Sequence, residues 1–272
     1  MRPFVENFPF FCIFLALVAG ILSATFRSGR AAYRMTLAVT GAIAVLSALT
    51  LRYVVEGGLS FGYTMGRFPI PLGNAIRCGP LQALLCTVFA GVLLFALVGG
   101  SRDLFHDVLP EKQRFYFVMV NLTDAALLSL VYTNDAFTGY VFIEISTIAA
   151  CALVMAKDNG PNLIATIRYL FMSLMGSGLF LIGLAILTSI TGYLLMPSMA
   201  EAVARLAETG EYRVPLTVCA GLMVTGLGIK SAMFPFHLWL PDAHGGATTA
   251  SSALLSGLVL KGYIGLMMTL MG

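Results

Sequence analysis

Eight apolar runs, each near the roughly 20 residues that an α-helix needs to cross a bilayer, dominate this 272-residue chain. They fall at about 8–26, 35–54, 79–99, 115–133, 137–156, 163–190, 214–236 and 246–271. The pattern predicts an all-α integral membrane protein and a single membrane domain over 1–272. Only 11% of the residues are charged, against about 25% in a soluble domain. So much apolar surface has to face lipid or other apolar helices. The run Phe8–Phe26 is long enough to span, and no small-residue cleavage site leading into a polar domain follows it, so it reads as the first membrane helix.

The longest connections are 55–78 and 191–213. In the first, glycines and prolines flank short aromatic and β-branched stretches, which predicts a small surface β-hairpin near 57–73. In the second, apolar residues alternate with Glu and Arg around Glu201–Arg213, which predicts a short amphipathic helix at the interface. Arg27, Arg30 and Arg34 lie between runs one and two, and Arg102, Lys112 and Arg114 between three and four. Lys157 lies between five and six, with Arg168 just inside run six. By the positive-inside rule these loops are cytoplasmic and the N-terminus is outside, in a multi-pass protein of the cell's inner (plasma) membrane. The net charge of +3, with no basic tail, gives no sign of nucleic-acid binding.

Four ionisable residues fall inside the apolar runs: Asp124, Glu144, Lys230 and Lys261. Each costs about 2.5–3.5 kcal/mol at the bilayer centre unless it is paired, hydrated or neutralised. Fixed ion pairs that hold helices together are one reading. An acid on one helix with bases on two others can also pass charge along a row. Pro235 follows Lys230, and Gly257 and Gly262 flank Lys261. Proline breaks the helix and frees backbone groups that take up water or polar partners, so a break is expected between about Lys230 and Trp239. Glu144 and Lys230 are expected within ion-pair reach. His237 and His244 flank Trp239–Asp242 at the expected cytoplasmic mouth, where they are candidates for loading protons or simply for capping helix ends.

The five cysteines are scattered and form no CxxC pair, so they read as packing residues with no redox centre. Two histidines with Asp242 are too few for a metal site. No catalytic residues, no metal and no cofactor are expected.

The run Lys230-Ser-Ala-Met-Phe-Pro-Phe-His-Leu-Trp-Leu-Pro-Asp-Ala-His244, followed by Ser251 to Lys261, closely resembles the antiporter-like family. That family includes the large membrane subunits of respiratory complex I, the D subunits of Mrp cation/proton antiporters, and membrane-bound hydrogenase relatives. Thr133–Glu144 resembles the family's helix 4–5 segment, and Tyr63–Gly73 its β-hairpin. The resemblance implies that Glu144 of helix 5 pairs with Lys230 of helix 7, and that Lys261 of helix 8 carries the path onward. It implies a five-helix half-channel repeat, helices 4–8 over 115–272, preceded by helices 1–3 over 1–114. Family members carry a second inverted repeat. Here another chain or a continuation would have to supply it. Arg77-Cys-Gly-Pro80 stands where the family has an Asp, and Gly245-Gly-Ala-Thr-Thr where it has a proline. Both departures favour the Mrp or hydrogenase-like branch.

The function expected is a proton-translocating, or sodium-translocating, non-redox subunit of an ion-translocating oxidoreductase or Mrp-type antiporter. Its partners would be other membrane subunits and the lipid bilayer, with no nucleic acid. The alternative is a structural assembly subunit with an inactive half-channel. No nucleophile–base pair, phosphate loop or cofactor motif supports a membrane enzyme.

Overall fold

The structure, a computed structural model, describes residues 4–58, 60–64, 75–157 and 159–271, with the side chain of residue 271 excepted. Among the described residues, eight helices are long and apolar enough to cross a membrane. The first six crossings are α1 (Phe8–Thr25), α2 (Gly29–Gly57), α3 (Pro80–Gly99), α5 (Pro110–Tyr132), α6 (Ala136–Val154) and α7 (Gly160–Thr191). The seventh is α9 (Arg213–Lys230). The eighth runs from α11 (Thr249–Leu254) through a π-helical turn, Leu255–Val259, into α12 (Leu260–Met271).

α5 is the central helix, with 78% of its apolar stretch buried, against 50% or less for each of the other spans. It packs on α1, α2 and α3 to one side and on α6 and α12 to the other. The outer helices turn residues such as Phe14, Ile21, Phe95 and Phe171 to the exterior, as a lipid-facing surface requires.

Two further helices lie in connections between the spans. α4 (Ser101–Asp107) falls within what reads as a plain loop in the sequence. α8 (Met196–Thr209) is the amphipathic helix, slightly earlier than Glu201–Arg213. It buries Met196, Met199 and Ala202 and exposes Glu201 and Arg205.

The hairpin exists, but its second arm lies beyond 57–73. β1 (Phe61–Thr64) pairs antiparallel with β2 (Ala75–Cys78), Phe61 opposite Cys78 and Thr64 opposite Ala75. Residues 65–74, which include most of the expected hairpin, lie outside the described residues. A tertiary contact accounts for the position of β2. Ile76 bridges Thr133, and the Asn134 N–H donates to the Ala75 carbonyl at 2.9 Å. The same turn pairs on its other side, Asp135 with Leu195. The Asp135 carboxylate then caps α6 by accepting from the Thr138 N–H.

The seventh crossing stops at Lys230 instead of running on to 236. Ala232 takes a left-handed φ of 52° and the Phe234–Pro235 peptide is cis. Phe236–Trp239 forms a 3₁₀ turn, and α10 (Leu240–Gly246) follows. The segment folds back over the end of α9. The Trp239 indole N–H donates to the Ile229 carbonyl at 3.2 Å, and its ring stacks on Tyr169 of α7 at 4.7 Å.

Candidate functional site

α7 and α9 approach each other closely enough for backbone to touch backbone. A Cβ on Gly226 would lie 2.5 Å from the Gly176 carbonyl oxygen, and one on Gly176 would lie 3.1 Å from Lys230 Cγ. Small residues permit this spacing in membranes, where dispersion and hydrogen bonds hold helices together. The gap at Gly176 lets the stem of Lys230 lie along α7 and turns its head group toward α6.

Lys230 is 1% exposed, on the last turn of α9. A cation there also suits the negative end of the helix dipole. Its Nζ lies 3.6 Å from Glu144 Oε1 and 2.7 Å from Thr147 Oγ1, to which it donates a hydrogen bond. Glu144 Oε1 is buried and has no hydrogen-bond partner among the described residues. Glu144, Thr147 and Cys151 share one face of α6 at i, i+3, i+7 spacing. The Tyr263 ring of α12 closes the site, its centroid 5.5 Å from Lys230 Nζ. Its hydroxyl touches Ser146 Oγ at 3.0 Å and Thr147 Oγ1 at 3.2 Å. The arrangement is a buried ammonium between a carboxylate, a hydroxyl and an aromatic face.

Of the six residues singled out from the sequence, these two, Glu144 and Lys230, are brought together. Lys261 is exposed on the outer face of α12. Asp124 is buried on α5, within electrostatic reach of Cys12 of α1 and Cys86 of α3, so it stands on the far side of α5 from the Lys230 site. Its Oδ1 has no hydrogen-bond partner among the described residues. One turn earlier, Asn121 donates to Thr36 Oγ1 at 2.8 Å and to Ser23 Oγ at 3.3 Å, tying α5 to α2 and α1.

His237 is exposed and stacked on Phe234. His244 is half-buried in α10, its Nδ1 2.7 Å from Ser252 Oγ, and burial pushes its imidazole below the ordinary range. Beside it, Asp242 pairs with Arg168 of α7. Asp107 accepts from His106 and sits 3.0 Å from Lys157 Nζ, and these two partners hold its carboxyl below the usual range.

Thr147, Ser146 and Tyr263 escaped the reading of the sequence. The spacing of Thr147 from Glu144 was a usable signal. For Tyr263, only the packing of α12 on α6 reveals the role. The same holds for Tyr116 of α5, whose hydroxyl meets Ser251 Oγ at 3.0 Å and Thr248 Oγ1 at 3.4 Å, fastening the start of α11.

The spans, the broken seventh crossing and the pairing of buried Lys230 with half-buried Glu144 define a class: multi-pass membrane subunits with charge inside the bilayer. A family model described as NADH:quinone oxidoreductase/Mrp antiporter, TM, matches residues 133–271, and the chain belongs to that family. It is 31% identical over 253 residues to NADH-quinone oxidoreductase subunit N of Desulforudis audaxviator, covering 92% of this chain and 48% of the relative. It is 27% identical over 261 residues to the D subunit of the Na(+)/H(+) antiporter of Bacillus subtilis, covering 94% of this chain and 51% of the relative. A chain of the Mrp complex from Dietzia sp. shares the fold, with a TM-score of 0.84 at 24% identity over 99% of this chain and 49% of that one. The chain spans about half the length of the curated relatives it matches.

Proposed function

We propose that the chain is a proton-translocating half-channel within a multisubunit membrane complex, built on residues 115–272. The observation that carries this reading is Lys230, a fully buried ammonium 3.6 Å from a carboxylate that has not closed onto it. A pair held at this distance can open and close at low cost, whereas a tightly bonded pair is a fixed joint. In the working scheme Glu144 sets the charge state of Lys230. A proton enters on the cytoplasmic side, near His237, His244 and the Arg168–Asp242 pair, passes through Lys230 and leaves toward Lys261. A cation at the centre repels sodium and titrates, which favours protons as the ion. Coupling comes from charge changes in neighbouring subunits, since moving one charge across 100 mV is worth about 2.3 kcal/mol.

Two relatives are named as subunits of a quinone oxidoreductase and of an antiporter, which supports the same role here, as a non-redox subunit alongside other membrane subunits. Arginines and lysines in the loops after the first, third and fifth crossings, more numerous than Arg67 and Arg77 between the second and third, support an N-terminus outside, in the inner membrane. The test is proton uptake by vesicles carrying the assembled complex. Lys230→Ala and Glu144→Gln should each remove translocation while the complex still assembles. Transport at wild-type rates in both would leave the inactive assembly subunit as the better reading.

A further inference from the structure

The partner nearest to Lys230 is a neutral hydroxyl. Thr147 Oγ1 lies 2.7 Å from Nζ, while the carboxylate stands at 3.6 Å. Two bonds at that hydroxyl have a necessary direction, one accepted from Lys230 and one donated to a carbonyl. Thr147 donates its own proton to the Ile143 carbonyl at 2.8 Å, and Ser146 donates to the same carbonyl at 2.9 Å. With both protons so committed, the single Tyr263 O–H proton is left to donate to one of these two oxygens or to be shared between them. Thr147 Oγ1 is left as a pure acceptor, with a lone pair for Lys230. An ammonium has three donors and no acceptor, so it fits that seat. The Tyr263 ring, within the roughly 6 Å range of a cation–π contact, lines a second side.

We propose that Thr147, held in place by Tyr263, is a positioning residue: a second seat that keeps the Lys230 head group from collapsing onto Glu144. A lysine with only the carboxylate to turn to would close the remaining gap and form a tight ion pair. A buried ammonium in contact with a half-buried carboxylate is held more strongly than a pair in water, and the pair would then open slowly. The hydroxyl seat binds the amine in either charge state, because a neutral amine also donates. Lys230 therefore stays in register while its attraction to Glu144 changes. The ionisable groups around it are Glu144 and Cys151 on α6, and Tyr263 on α12, which itself has Tyr169 of α7 beside it. This inference rests on the translocation reading above.

The test measures proton uptake by vesicles containing the whole complex, with assembly checked on a native gel. Thr147→Val, which keeps the shape and removes the acceptor, should slow uptake about ten- to a hundredfold, the scale of a hydrogen bond to a charged group. Thr147→Ser should restore uptake to within a few-fold of wild type, and Tyr263→Phe should lower it by less than Thr147→Val does. Glu144→Asp shortens the carboxylate by one methylene and so weakens the collapse. The double variant Thr147→Val/Glu144→Asp should therefore outpace Thr147→Val alone. A double variant slower than both single variants, or no rescue by serine, overturns the seat. If Thr147→Val does not assemble, Thr147→Ala carries the same test. If Lys230→Ala and Glu144→Gln abolish uptake while Thr147→Val runs at the wild-type rate, the seat is wrong and the translocation reading stands. If none of them matters, the translocation reading itself fails.

Discussion

Lys261 and Tyr263 stand two residues apart on α12 and face opposite ways, Lys261 exposed on the outer surface and Tyr263 fully buried beside Lys230. Helical geometry requires this, because positions i and i+2 do not share a face. α12 is therefore the wall between the buried charge centre and whatever lies outside it. The π-helical turn Leu255–Val259 ends two residues before Lys261 in that wall, and such turns are frequent at functional sites.

A lysine at bilayer depth that faces hydrocarbon is too costly to keep charged. In the assembled complex Lys261 should accordingly meet another polypeptide segment that offers a lysine, histidine or carboxylate at similar depth. A photo-crosslinking amino acid at position 261 should yield protein adducts. Adducts to lipid alone would show that the outer face of α12 is bare.

Lys261→Ala should reduce proton translocation by on the order of a hundredfold, the lower range for losing a proton-transferring group. The chain itself should still fold, since an exposed side chain contributes little packing inside it. Uptake at the wild-type rate in reconstituted vesicles would make Lys261 a surface residue with no part in the path.

Gly226→Val should be the most damaging single change away from the charges. Its Cβ would meet the Gly176 carbonyl oxygen and the Phe180 backbone nitrogen within 2.8 Å, and backbone cannot swing aside as a side chain can. Overpacking of this kind costs about 1–3 kcal/mol or more. The expected readouts are a lower unfolding temperature in detergent and weak translocation, because α7 and α9 would part at Lys230. Thermal stability equal to wild type would contradict this close contact.

His244 gives the fold a pH dependence of definite sign. Burial lowers its folded-state value beneath the ordinary 6.5, so between the two values the unfolded chain binds more protons than the folded one. Stability then rises with pH through that window and is lost as pH falls below about 6.5. Detergent-solubilised wild type should lose more thermal stability between pH 7 and pH 5 than His244→Asn, which cannot titrate. Parallel curves for the two proteins would refute this assignment.

Length and apolarity alone determined the eight crossings. Each span has to satisfy its backbone within itself in lipid, so the signal is local and survives without knowledge of neighbours. Glu144 and Lys230 were legible for a related reason: a lone charge in an apolar run has few permitted explanations. The end of α9 near Pro235 was legible because proline removes a donor from the helix ladder.

Which face of each helix looks inward was settled only by packing. Asp124 and Lys261 read in the sequence only as charges inside apolar runs, and the packing supplies their directions: α5 turns Asp124 toward α1 and α3, and α12 turns Lys261 outward. In a helix apolar on all sides no amphipathic stripe marks the inner face, so sequence periodicity is silent there. β2 was placed by its bridge to Thr133, a contact made across 57 residues. Thr147 was invisible for a third reason. A threonine in a membrane helix ordinarily satisfies itself on its own backbone, and only the close approach of α7, α9 and α12 to α6 sets its remaining lone pairs before Lys230 and Tyr263.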